Sequence, residues 1–178
     1  MYVFEPEIFE LIPRNTFYLF GKQVFPLLLE QRKPLYGHLT AAYWKDVGNL
    51  KIYQQTHTDM LAGKVNVKLP FNELRKYVWV GENVQIDPTA EIGYPVAIGD
   101  NVVISAGARI LENTVIGNNC RVEAGASVHN SILWDGSVIM SGTHLERCVI
   151  GRDCHVQTNA AIFDGIIVSP LRAENGCK

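Results

Sequence analysis

From Val80 onward an aliphatic residue returns every six positions: Val80, Ile86, Ile92, Ile98, Ile104, Ile110, Ile116, Val122 and Val128. A step of five leads to Leu133, then come Ile139 and Leu145, and a second step of five leads to Ile150, Val156 and Ile162. A period of six fits neither the 3.6-residue turn of an α-helix nor the two-residue alternation of a hairpin sheet. It fits a short strand, a tight corner and another short strand, with three sides closing a coil of about eighteen residues. Stacked coils then pair as parallel strands about 4.8 Å apart, each inward aliphatic above its counterpart in the coil below.

The residues between the rungs agree with such corners. The third residue after a rung is Gly, Asn or Asp at Asn83, Asn101, Gly107, Asn113, Asn119, Gly125, Gly136, Gly142, Asp153, Asn159 and Gly165. These residue types tolerate positive φ. The fourth residue is small or aliphatic throughout, from Val84 and Ala90 to Ala160 and Ile166. The five-residue steps at Val128 and Leu145 fall on one face of the prism, and a third is expected from Ile162 to Ile167. They read as structural tuning.

Composition narrows the class. The chain has 178 residues, 47% of them hydrophobic, which is ample for a packed core and excludes wholesale disorder. Sixteen Lys plus Arg against eighteen Asp plus Glu leave a net charge of -2, which argues against nucleic-acid and anionic-lipid partners. No apolar run approaches the roughly 20 residues of a membrane span. The acidic start MYVFEPEIFE is unlike a secretory signal, so a cytoplasmic location is expected. Cys120, Cys148, Cys154 and Cys177 have no CxxC spacing and read as reduced thiols. Cys120 and Cys154 point inward on one face, two coils apart, too far for a disulfide.

The front of the chain has another grammar. Tyr2 to Glu5 reads as a short strand, and Pro6 opens a helix to about Leu11. Residues 21–31 read as a second helix with Pro26 near its start, and Pro34 to Trp44 as one or two strands. Asn49 caps a helix from Leu50 to Leu61 that Gly63 ends. These elements are too few for a domain, and aromatics such as Phe17, Phe25, Tyr36 and Trp44 need something to pack on. The region reads as the last portion of a larger sheet domain. The expected organisation is mainly β: an α/β remnant over 1–77, a β-helix of about five coils over 78–167 and a tail over 168–178, where Pro170, Arg172 and Glu174 end the repeat.

The units IGDNVV, IGNNCR and IGRDCH resemble the hexapeptide-repeat family of left-handed parallel β-helices. The left-handed sense is implied by that resemblance. The front words YVFEPEIF, VFPLLL, PLYG and YWKDVGNL, in that order, resemble the C-terminal part of sugar-nucleotide pyrophosphorylases, most closely the mannose-1-phosphate guanylyltransferase type. The resemblance implies nucleotidyl transfer from a nucleoside triphosphate to a sugar 1-phosphate, with Mg²⁺ as cofactor. It implies a metal-ligand role for Asp46, in the WKD word. No GxGTRL-like phosphate loop and no PKP-like word occurs in the 178 residues, and Leu19 and Gln23 stand where the family often has acids. This chain alone is therefore expected to be inactive and to bind no cofactor tightly. The alternative reading of Asp46 is an Asx turn before the helix.

Two other functions fit the repeat. A hexapeptide acyltransferase would use a histidine as general base, and His129, His144 and His155 are the candidates, the first two near one corner. A non-catalytic assembly or regulatory module would form homo-oligomers through the β-helix. Trp134, Met140 and Phe163 are apolar where outward residues are mostly Gly or polar, and are the interface candidates. Trp134 alternatively lies over Gly117 and Gly151, its neighbours in the stack. A nucleotide sugar is a possible ligand.

Overall fold

A computed structural model describes residues 2–168. From Val78 the chain winds through five complete three-sided coils and begins a sixth. The first face carries Val78–Val80, Val96–Ile98, Thr114–Ile116, Ile132–Leu133, Val149–Ile150 and Ile166–Ile167. The second carries Gln85–Ile86, Val103–Ile104, Arg121–Val122, Val138–Ile139 and His155–Val156. The third carries Glu91–Ile92, Arg109–Ile110, Ser127–His129, His144–Glu146 and Ala161–Phe163. Within each face every neighbouring coil pairs in parallel, Ile98 with Ile116 and Ile116 with Leu133. An antiparallel strand, Asn72–Arg75, covers the open edge of Val78–Val80.

The expected rungs form the core. Eleven of the fifteen are buried, from Ile98 to Val156, while Val80, Ile86, Ile92 and Ile162 at the ends of the stack are partly buried. The corners are left-handed as expected at Asn83, Asn101, Gly107, Asn113, Asn119, Gly125, Gly136, Gly142, Asp153 and Asn159.

The short steps depart from the rule in a consistent way. Positive φ comes one place earlier in the chain, at Asn130, Arg147 and Asp164, and Gly165 is not left-handed. The inward place after the corner moves with it, to the buried Ser131 and Cys148 and to Gly165. Ile132, Val149 and Ile166 thereby leave the core and face outward. Ser131 is accommodated because its hydroxyl donates to the His129 carbonyl at 2.7 Å and accepts from the Cys148 N–H at 2.9 Å. The third short step, Ile162 to Ile167, is present, since Ile150 pairs with Ile167.

Cys120, Cys148 and Cys154 are free and buried, and burial pushes the Cys120 thiol up. Ser137 lies between Cys120 and Cys154 in the stack, with its oxygen 3.3 Å from Cys120 Sγ. Cys177, Pro170, Arg172 and Glu174 lie outside the described residues.

Backbone contacts divide the chain into two compact units, Met1–Ala42 and a second that begins at Tyr43. The first strand of the coils begins at Val78, and residues 43–77 fall in the same compact unit as the coils. In the first unit Pro6–Leu11 is a 3₁₀ turn, a π-type turn over Phe20–Val24 leads into α1 (Phe25–Glu30), and Pro26 sits in α1's first turn. The strands expected at residues 2–5 and 34–44 do not form. A strand needs a ladder partner, and none is present among the described residues. In the second unit α2 (Leu50–Leu61) has the expected ends: Asn49 Oδ1 accepts from the Ile52 N–H at 2.9 Å, and Gly63 is left-handed.

Candidate functional site

The first face differs from the other two in its outward residues. Immediately before the rungs stand Trp79, Ala97, Val115, Ile132, Val149 and Ile166, all apolar. The second face has Gln85, Val103, Arg121, Val138 and His155 there, and the third has Glu91, Arg109, Ser127, His144 and Ala161. Ala97, Ile132 and Val149 are buried although they point out of the prism. Beside this row run Gly81, Gly99, Gly117, Trp134 and Gly151, which keep the face flat except at the indole.

A cleft of about 360 Å³ opens between this face and α2, lined by Tyr53, His57, Gly117, Trp134, Asp135 and Arg152 among others. Trp134 Nε1–H donates to the Tyr53 hydroxyl at 3.1 Å, and the two rings meet edge to face at 6.4 Å. Tyr53 also meets His57 edge-on at 4.6 Å. Burial pushes the His57 imidazole below its ordinary value, favouring the neutral ring. At the rim Arg152 pairs loosely with Asp135 at 3.5 Å, and Asp135 Oδ1 accepts from the Asn118 N–H at 2.8 Å. The aromatics thus latch α2 to the coils.

A second cluster lies at the far end of α2. Asp59 is buried and accepts from the Tyr43 hydroxyl at 2.9 Å and from Lys45 Nζ, Gln55 Nε2 and Lys64 Nζ at 3.0 Å each. The Lys64 and Lys45 ammonium groups hold its carboxyl well below the usual carboxylate range. This knot ties the Tyr43–Lys45 stretch to α2, next to Trp44 and Asp46. It is absent from the sequence reading because its partners come from three separate segments. Only Gln55, four residues before Asp59 on the helix, is a local signal.

Asp46 is exposed. Its backbone carbonyl accepts from the Gly48 N–H at 3.0 Å, and its carboxylate makes no hydrogen bond or ion pair among the described residues, so the Asx turn does not form. No group of three or more His, Cys, Asp or Glu able to hold a metal occurs among the described residues. Among the described residues Asp46 is thus a lone exposed carboxylate, and a Mg²⁺ ion held there would take its remaining oxygen ligands from water, substrate phosphates or other residues.

The interface candidates are not brought together. Trp134 follows a first-face strand and Met140 a second-face strand, while Phe163 is on the third face, where it packs on His144 at 5.4 Å. The histidines also separate. His155 is on the second face, whereas His129 and His144 share the third. In register His144 lies beside Ser127, and His129 beside Glu146. His129 sits between carboxylates, Nε2 3.3 Å from Glu112 and Nδ1 3.9 Å from Glu146.

Residues 75–171 match the family model of the EIF2B subunit epsilon LbH domain, more than half of the chain. The chain belongs to that family. Its β-helix is left-handed, as the hexapeptide resemblance implied. Residues 1–63 match the Nucleotidyl transferase family, so this β-helix follows nucleotidyl-transferase sequence in the pyrophosphorylase arrangement. The UTP–glucose-1-phosphate uridylyltransferase of Synechocystis sp. is 34% identical over 85 residues, 47% of this chain and 22% of that protein. The glucose-1-phosphate adenylyltransferase of Bacillus cytotoxicus is 40% identical over 58 residues, 33% of this chain and 15% of that protein. The matched stretches thus span about a fifth or less of these relatives. The acetyltransferase domain of PglB from Neisseria gonorrhoeae superposes with a TM-score of 0.51 at 19% identity, over 83% of this chain and 71% of that one. That likeness is one of fold. No helix among the described residues is long and apolar enough to cross a membrane.

Proposed function

We propose that this chain is the scaffold portion of an enzyme that joins a sugar 1-phosphate to a nucleoside triphosphate. In that reaction a sugar-phosphate oxygen bonds to the α-phosphorus, and pyrophosphate leaves as the α–β bridge breaks. The observation that carries the reading is the order of the two matched families, nucleotidyl transferase first and β-helix second. The geometry supports a supporting role: the aromatic latch and the Asp59 knot fix the segment that bears Asp46 onto the coils. The two relatives named above act, by their names, on glucose 1-phosphate with different nucleotides. Mannose 1-phosphate with GTP is the pair proposed from the resemblance. The β-helix assembles into homo-oligomers in the cytoplasm.

The 178 residues turn nothing over by themselves, because they contain no glycine-rich phosphate loop. The test is a pyrophosphate-release assay on the pure chain with Mg²⁺, pairing mannose or glucose 1-phosphate with GTP, UTP or ATP. Metal-dependent turnover refutes the scaffold assignment. Activity of the chain joined to the front portion of a relative, with any of these pairs, supports it and identifies the sugar and the base.

A further inference from the structure

The two ends of the β-helix are finished differently. At its start Asn72–Arg75 covers the edge of Val78–Val80. At its far end His155–Val156, Ala161–Phe163 and Ile166–Ile167 are each the last strand of their sheet, and among the described residues nothing pairs with their outer edge. The rungs Ile162 and Ile167 are only partly buried there. The ladder tells which backbone groups this end leaves open. On the second face Arg121 and Val138 donate to the carbonyls of Ser137 and Cys154 one coil on, and Glu123 and Met140 to those of Ile139 and Val156. On the third face Ser127 and His144 donate to the carbonyls of Thr143 and Ala160, both at 2.7 Å. By the same rule the N–H groups of His155, Gln157 and Ala161 point along the axis at the open end.

The sequence after Val168 keeps the repeat in register. Leu171, Ala173, Gly176 and Cys177 stand seventeen residues after Cys154, Val156, Asn159 and Ala160. The same spacing separates those four from Ser137, Ile139, Gly142 and Thr143. The inward places are thus aliphatic or small, and the outward places between them hold Arg172 and Glu174. Glycine stands at the corner where Gly142 and Asn159 are left-handed. One place departs. Pro170 stands seventeen residues after Asp153, a corner with positive φ whose N–H donates to the Asp135 carbonyl at 3.0 Å. Proline can supply neither the φ nor the N–H. That joint is irregular, and the segment beyond it is held only by its own ladder and its inward side chains.

We infer that residues 171–177 of this chain dock on the open end of the β-helix as the second-face strand and following corner of a sixth coil. The carbonyls of Leu171, Ala173 and Cys177 accept from the N–H groups of His155, Gln157 and Ala161. The repeat that Pro170 was expected to end resumes at Leu171. An exposed strand edge is a template for strands of other chains. A partly capped end offers no continuous edge, so the docked segment keeps a second copy from stacking on this end. The inference is independent of the enzymatic reading.

Residue-resolved amide exchange on the full chain tests this, together with maleimide labelling of Cys177. The amides of His155, Gln157 and Ala161 exchange at least about tenfold more slowly than those of Phe163 and Ile166, which the docked segment does not reach. Cys177 labels at least about tenfold more slowly than in the urea-unfolded chain. Leu171→Asp places a charge at an inward position of the docked segment and brings both readouts to their free rates, while the melting of the coils is unchanged. Arg172→Gln, at an outward place, changes neither. A chain cut after Val168 gains mass with concentration in light scattering relative to the full chain. Equal exchange at all five amides, or labelling of Cys177 at the unfolded rate, overturns the docking. Protection that rises with protein concentration and extends to Phe163 and Ile166 overturns it in favour of a second copy. Unchanged mass in the cut chain overturns the shielding role.

Discussion

Replacing Ile116 by Ala tests how the coils are held together. Ile116 is 1% exposed and lies between Ile98 and Leu133, its partners in the adjoining coils. The substitution removes three carbon groups, at about 0.8 kcal/mol each a transfer loss of roughly 2.4 kcal/mol. The cavity adds to this, because backbone ladders fix the spacing of the coils and the rungs above and below cannot close in. The expected total is about 3–4 kcal/mol, within the range of buried Ile to Ala changes. Ile162, on the last complete coil, is only partly buried, and the same change there removes less contact and is relieved by solvent. About 1 kcal/mol is expected at that site. Urea unfolding followed by circular dichroism reads both, with the slope m compared so that the midpoint shift reports stability. Equal losses at the two positions, or a loss below about 1 kcal/mol at Ile116, refute the stacked-rung account.

Other outcomes follow from the corners, the knot and the latch. Gly117→Ala places a Cβ 2.8 Å from the Asp135 N and 3.0 Å from the Leu133 O, backbone atoms that cannot yield. A thermal melt should therefore show a larger loss than for Gly125→Ala, where φ is +67° but nothing lies within 4 Å and the cost is about 1–2 kcal/mol. Asp59→Asn removes a charged acceptor of four hydrogen bonds and should cost on the order of 1–2 kcal/mol at pH 7. Because the folded carboxyl titrates below its unfolded value, the stability it contributes is present above about pH 4 and is lost as pH falls further. The wild-type advantage in urea midpoint should shrink below that pH, and an unchanged gap there would contradict the knot. Tyr53→Phe deletes the hydrogen bond to Trp134 and should speed amide exchange of α2 several-fold while leaving the coils protected. Trp134→Glu separates latch from interface: loosening of α2 with unchanged mass by light scattering assigns the indole to the latch, and a fall in mass assigns it to an interface.

The rungs and corners were legible because a coil repeats one local rule many times. A six-residue period leaves its mark on every inward position from Val80 to Ile162, and a capped helix announces itself through Asn49 and Gly63. The short corners broke the rule by one place, which is why Arg147, a residue ill suited to positive φ, holds one. Arg147 is kept there by forked bonds to Asp164, one coil on, at 2.6 and 2.9 Å. The apolar outward row was also available, but only at a spacing of a whole coil. Trp79, Ala97, Val115, Ile132, Val149 and Ile166 recur every seventeen or eighteen residues and are hidden at a spacing of six. The strands expected near Tyr2 and Tyr36 fail for another reason. Their composition suits a sheet, and strand formation is decided by a neighbour that local sequence does not contain. The Asp59 knot is tertiary in the same sense, since Lys45 and Lys64 are brought to the carboxylate only by the path of the chain around α2.

The parallel register has a consequence for how such a chain can change length. Ile98 sits over Ile116 eighteen residues on, and Leu133 over Ile150 seventeen residues on. An insertion of one residue within a strand turns its core side toward water and its wet side inward. Excising a whole circuit between equivalent positions leaves every remaining layer on its neighbour. Growth and shrinkage of this protein are therefore quantised, and the smallest tolerated unit is one lap of the prism.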